Sequence, residues 1–223
     1  VGIQHIWNEN SISISHQEVK KTVLHVEPDW SAASYWYAII ALSPIGSSLF
    51  LPGLKTNSLQ GDSAIVDIMT NFGVVSTFEN NGVKIEKSGN QGKQQTLFNF
   101  KECPDLAQTV IACSAVLGYN ATFTGLETLK IKETDRIKAL QNELAKFNVT
   151  LTEENENYHL NTDNKTTPDS IRIKTYEDHR MAMAFAPLAI HFNELVIEDP
   201  EVVGKSYPAF WAHLEQIGFN ISN

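Results

Sequence analysis

The densest chemistry in the sequence lies between Lys132 and Arg136. There Lys132, Glu133, Asp135 and Arg136 put two cations and two carboxylates into five residues. The apolar spacing Ile137, Leu140, Leu144, Phe147 follows at once and predicts an amphipathic helix. The charges therefore stand at a helix start, where unpaired backbone N–H groups and the positive end of the dipole accommodate an anion. The same residues also fit a solvated first turn, with Thr134 or Asp135 as cap and ion pairs along the surface. What favours an anion site is the arginine usage. The chain has only three, Arg136, Arg172 and Arg180, and the third closes another charged run, Tyr176-Glu177-Asp178-His179-Arg180.

Asp105 follows Pro104 and opens the apolar run LAQTVIACSAVLG. It fits a helix cap, as do Asp29 and Asp178. It also fits a general base, because partial desolvation at the mouth of a buried helix brings a carboxyl pKa toward working pH. Glu133 is the matching candidate acid. His179 fits a proton carrier or an anion ligand, and equally a solvated polar helix start. No His/Cys spacing suggests zinc and no glycine-rich loop suggests a nucleotide, so no metal or cofactor is expected.

The elements that must hold these residues recur. Apolar helices are predicted after Asp29, Asp105 and Asp178, 76 and 73 residues apart, each followed by a short strand. Amphipathic helices end at Gly73, Asn148 and Gly218, 75 and 70 residues apart, and Gly2 extends that series backwards by 71. Gly, and Asn in its place, suits the left-handed residue that ends a helix. Each unit reads strand, apolar helix, strand, polar loop, amphipathic helix, hairpin. The fold class is therefore α/β, built of βαβαββ units of about 70–75 residues that share a core. The loops Asn57 to Asp62, Lys132 to Arg136 and Gly204 to Ser206 occupy equivalent places, as expected when several units converge on one cleft. At the start, VGIQHIWN, SISISH and TVLHVEPD read as three strands, and Asn81-Gly82 reads as a hairpin turn. Residues 154–170 read as a long, polar hairpin excursion between two strands.

The 223 residues are 42% hydrophobic, enough for one large or two modest domains, and carry a formal charge of −9. That charge disfavours nucleic acid and anionic membrane as partners and leaves small anions as the ligands of local basic spots. The longest apolar runs are too short to span a membrane, no export signal is apparent, and two cysteines are too few for a disulfide framework, so a cytoplasmic protein is expected. A chain opening on Val1 in a strand-like run is expected to be a fragment.

The runs LKIKETDRIKAL (129–140) and YEDHRMAMA (176–184), the Gly204-Lys205-Ser206-Tyr207-Pro208 segment, the loop Asn57-Ser58-Leu59-Gln60-Gly61-Asp62 and the Pro104-Asp105 helix start together resemble the 3-phosphoshikimate 1-carboxyvinyltransferase (EPSP synthase) family. They stand in that family's order from one end of the chain to the other. The related UDP-N-acetylglucosamine enolpyruvyl transferases share the repeated fold but lack KETDR and DHRMA. The resemblance implies an inside-out α/β barrel fold, with residues 1–75 as the last portion of an N-terminal domain and 76–223 as the C-terminal domain. It implies transfer of the carboxyvinyl group of phosphoenolpyruvate to the 5-hydroxyl of shikimate 3-phosphate, in the route to chorismate and the aromatic amino acids. It further implies an active site completed by an N-terminal half that this chain lacks, so that the chain alone is inactive. By position, Asp105 and Glu133 match the catalytic carboxylates. Lys132 matches a shikimate 3-phosphate contact, Arg136, Arg180 and Lys205 the cations around phosphoenolpyruvate, and His179 an active-site histidine. Ser34 and Tyr35 follow the common substrate-binding pattern. Thr128 stands where many members have an asparagine, and Ala32 where some have a serine. The competing expectation is a catalytically silent module of the same fold.

Overall fold

The apolar runs become the buried helices the spacing predicts. The computed structural model describes residues 2–79, 81–89 and 95–222. In chain order the elements are β1 (Ile6–Asn8), β2 (Ser11–Ser13), α1 (Trp30–Leu42), β3 (Ser48–Pro52), α2 (Ile65–Ile68), β4 (Val74–Glu79), β5 (Gly82–Lys87) and β6 (Leu97–Asn99). Then follow α3 (Ala107–Leu117), β7 (Ala121–Thr124), α4 (Arg136–Ala145), β8 (Thr150–Glu154), β9 (Asn157–Asn161), β10 (Ser170–Ile173), α5 (His179–Phe185), β11 (Glu194–Ile197) and α6 (Phe210–Gln216).

Helices α1, α3 and α5 pack on one another and are buried on nearly every side. Trp30, Tyr35, Tyr37 and Phe185 are fully or almost fully buried, each burial contributing about 1.5–3 kcal/mol or more. Three sheets surround these helices. β3 and β4 flank β5 in an antiparallel sheet; β6, β7, β9 and β8 form a mixed one, with β6 parallel to β7 across α3; β10 lies parallel to β11 across α5. The second unit is thus a complete βαβαββ. Gly73, Asn148 and Gly218, the expected helix ends, all have left-handed backbones, with φ of 75°, 58° and 102°. The expected hairpin forms, but one residue earlier than Asn81-Gly82: Gly82 already opens β5, paired with Glu79, and Asn81 takes the left-handed backbone with φ of 63°.

Three expectations need correction. Residues 22–29 form no strand: Pro28 lacks an N–H, and Glu27 instead accepts hydrogen bonds from Trp30 Nε1, Lys55 N and Ser58 Oγ. The amphipathic helix expected to end at Gly73 is one α-helical turn, α2, between the 3-10 segments Gly61–Ala64 and Met69–Phe72. The polar stretch 154–170 contains β9, which pairs with β7 and β8. Its Tyr158 and Leu160 alternate into the core between polar neighbours, a period-2 signal hidden by the surrounding Asn and Thr.

A division after residue 75 would cut β4 and its ladder to β5. The change in character comes at residue 30. Residues 2–29 contribute nothing to the buried core, which runs from Trp30 to Leu214, and Ile6, Trp7, Ile12, Ile14, Val23 and Val26 are exposed.

Candidate active site

The starts of α3, α4 and α5 meet. Asp29 caps α1 through its carboxylate, which accepts the Ser31 N–H at 2.8 Å, and Asp178 caps α5 by accepting the Arg180 N–H at 2.8 Å. Asp105 does neither. It sits in the 3-10 turn Pro104–Leu106, which closes through its own backbone, Leu106 N to Cys103 O, and no side chain caps α3. Its carboxylate is left to the cations. Oδ2 accepts from Arg180 Nη2 at 2.9 Å, while Oδ1 lies 3.4 Å from Arg136 Nη1 and 3.8 Å from Lys132 Nζ.

Arg136, the first residue of α4, is the hub. Its side chain is 1% exposed. Nε donates to Asp178 Oδ2 at 2.6 Å, and Nη2 donates to Glu133 Oε2 at 2.5 Å and to Asp178 Oδ1 at 3.3 Å. Of the two candidate caps for this helix it is Asp135 that serves, accepting the Lys138 N–H at 3.0 Å. Three carboxylates thus take up the Arg136 fork. A buried guanidinium needs such partners, because an uncompensated charge in the interior costs several kcal/mol.

Glu133 is 40% exposed. Partial burial works against its carboxylate, but its own backbone N–H, the charges of Arg136 and Arg180 and, when it is protonated, that of His179 outweigh this and hold its pKa below the ordinary 4.5. His179 Nδ1 lies 3.9 Å from both Glu133 Oε1 and Asp178 Oδ1, buried and without a hydrogen-bond partner. Burial lowers the His179 pKa below 6.5, against the pull of Asp178 and Glu133. The ring is therefore neutral near pH 7. Tyr35, on α1, is buried with its hydroxyl 3.5 Å from Arg180 Nη1, and burial pushes its pKa up.

The remaining expected residues divide. Lys205 is exposed and donates to the Glu177 carbonyl at 2.6 Å, one residue before Asp178. Thr128 lies exposed within the 3-10 turn Glu127–Ile131 that leads to Lys132. Ser34 is fully buried: its hydroxyl donates to the Ser31 carbonyl at 2.7 Å and meets Thr109 Oγ1 at 3.1 Å, so it fastens α1 to α3. Two further carboxylates join the cluster's surroundings. Asp178 looked like a cap alone, and nothing in a sequence signals a partner 42 residues away. Asp62 accepts the Ser31 hydroxyl, and burial raises its pKa against the pull of Ser31. Among the described residues no group of His, Cys, Asp and Glu is arranged to hold a metal ion, and no helix is long and apolar enough to cross a membrane.

Comparison with known proteins places this architecture. The structure superposes on a solved EPSP synthase from Acinetobacter baumannii with a TM-score of 0.78 at 21% identity, covering 99% of this chain and 53% of that one. It superposes on the enolpyruvyl transferase NikO from Streptomyces tendae with a TM-score of 0.60 at 10% identity, covering 88% and 44%. The fold is that of the enolpyruvyl transferases. A family model for EPSP synthase (3-phosphoshikimate 1-carboxyvinyltransferase) matches residues 1–214. A 3-phosphoshikimate 1-carboxyvinyltransferase from Bacteroides fragilis is 43% identical over 216 residues, covering 96% of this chain and 52% of that protein. One from Neisseria meningitidis is 34% identical over 190 residues, covering 84% and 43%. The chain belongs to the EPSP synthase family, and it spans about half the length of the curated relatives it matches.

Proposed function

We propose that this chain is the C-terminal half of an enolpyruvyl transferase that joins phosphoenolpyruvate to the 5-hydroxyl of shikimate 3-phosphate and releases phosphate. The observation that carries the reading is the convergence of Lys132, Arg136 and Arg180 on Asp105, with Glu133 on the same guanidinium. Two substrates bearing phosphates and carboxylates need several fixed cations, and most of the acceleration in such a reaction comes from positioning and electrostatic stabilisation. Lys132, Arg136, His179, Arg180 and Lys205 would hold the anionic groups, and a second half would complete the cleft. The free, buried thiols Cys103 and Cys113 agree with a cytoplasmic location.

In the addition step Asp105 accepts the hydroxyl proton as the oxygen bonds to C2 of phosphoenolpyruvate, and Glu133 gives a proton to the methylene carbon. In the elimination the methyl returns that proton to Glu133, and phosphate leaves with the proton held by Asp105. The depressed pKa of Glu133 adds a condition. To act as an acid it must lose its hold on Arg136, and an anion that engages Arg136 from the substrate side removes that counter-ion and raises the Glu133 pKa.

The test is a chimera in which this chain replaces the matching half of the Bacteroides fragilis protein. Phosphate release that needs both substrates is expected from the chimera and not from this chain alone. A folded chimera that binds both substrates without turnover favours the silent-module reading; turnover by the chain alone removes the need for a second half.

A further inference from the structure

We propose that Asp178 is the positioning residue of the anion site, setting Arg136 and Arg180 in register so that both face one ligand. The inference rests on the reading of the cluster given above and adds a residue to it.

Asp178 is fully buried. Its Oδ2 accepts Arg136 Nε at 2.6 Å, and its Oδ1 accepts Arg136 Nη2 at 3.3 Å and the Arg180 backbone N–H at 2.8 Å. One carboxylate therefore grips the side chain that opens α4 and the backbone of the second residue of α5. The other carboxylates on Arg136 differ in kind. Asp105 and Glu133 are 30% and 40% exposed and touch only the terminal nitrogens. An incoming anion can compete with them; it cannot reach Asp178. Arg136 thus has a fixed side, Nε toward Asp178, and an exchangeable side, with Nη1 held only at 3.4 Å by Asp105.

The backbone around Asp178 is built to hold it there. Tyr176 and Glu177 both take left-handed conformations, φ of 56° and 58°, that side-chain-bearing residues avoid, and Asp178 N–H closes the turn on Thr175 O at 3.0 Å. Buried Glu143 of α4 pins this turn, accepting Tyr176 Oη–H at 2.8 Å and Lys174 N–H at 3.1 Å, and Lys205 Nζ clamps the Glu177 carbonyl at 2.6 Å. A helix cap alone needs none of this, since Asp29 caps α1 without such a turn.

Replacing Asp178→Asn separates positioning from charge. Asn caps a helix as well as Asp does, so the cap survives. The substitution removes a negative charge beside two arginines; if Asp178 were only a counter-charge, inorganic phosphate would bind this chain more tightly. If it positions the fork, phosphate affinity measured by calorimetry falls about tenfold or more. Unchanged or tighter binding overturns the proposal. Wild-type chain that binds no phosphate overturns the anion-site reading and the proposal with it, whereas binding that Asp178→Asn retains overturns the proposal alone. Should that variant not fold, the wild type still decides. With three arginines the spectrum holds three Nε–H resonances, and Arg172→Lys assigns one of them. One of the remaining two should be protected from solvent exchange and unmoved by phosphate; if both exchange freely, Asp178 does not hold Arg136.

Discussion

Asp29 and Asp105 occupy the same place in successive units and do different things. Asp29 is one residue before an α-helix and spends its carboxylate on the Ser31 N–H. Asp105 follows Pro104 in a 3-10 turn, the α-helix begins two residues later at Ala107, and its carboxylate reaches Arg180, Arg136 and Lys132 instead. The surroundings agree with this split. Around the first helix start lie hydroxyls and carboxylates, Ser31 against Asp62; around the second lie three cations. A small change in where a helix begins, inside a repeated frame, turns a cap into a carboxylate shared by three cations.

The largest effect should come from Glu133→Gln in the chimera. The amide keeps the shape and loses the proton, so turnover falls by about 10²–10⁴ while substrate affinity changes little. Steady-state kinetics that show weakened binding with unchanged turnover would make Glu133 a structural partner of Arg136. Next, Arg136→Ala leaves the buried Asp178 carboxylate without its counter-ion and should destabilise this chain by about 3–5 kcal/mol in urea denaturation. A loss below about 1 kcal/mol, the range of exposed pairs, would mean that the site is wetter than its burial implies.

The frame was legible and the wiring was not. The spacing of Asp29, Asp105 and Asp178 gave the three central helices, and Gly73, Asn148 and Gly218 gave their companions' ends, because both signals are local. The strand β9 escaped because only Tyr158 and Leu160 mark its buried face. The KETDR and DHRMA runs pointed to Arg136 and Arg180. Their partners are long-range: Asp178 lies 42 residues from Arg136 and Asp105 lies 75 from Arg180. Ser34 shows the converse limit, since pattern placed it at the substrate and packing turned it between α1 and α3.

Smaller effects sharpen the contrast. Asp29→Ala removes a cap and should cost about 1 kcal/mol of stability, while Asp29→Asn costs almost nothing. Thermal melts of the two variants check this; equal losses would give the Asp29 charge a role beyond capping. The smallest effect is a pH dependence. Burial holds the His179 pKa below its unfolded value near 6.5, so the unfolded chain binds the proton more readily. The contribution of a neutral His179 to stability is complete above that pH and is lost as pH falls through the lower folded value. Melting temperatures at pH 7.5 and 5.5 should therefore drop further for wild type than for His179→Asn; equal drops would place the imidazole in solvent.

We expect Asp105, unlike its counterpart in the preceding unit, to face the reacting groups. Turnover of the chimera bearing Asp105→Asn, measured beside Asp29→Asn, tests it directly. The first should lose about 10²–10⁴ in rate and the second should stay within about twofold of wild type, since Asn caps as well as Asp. Equal losses, or an active Asp105→Asn enzyme, would remove Asp105 from the proton transfer.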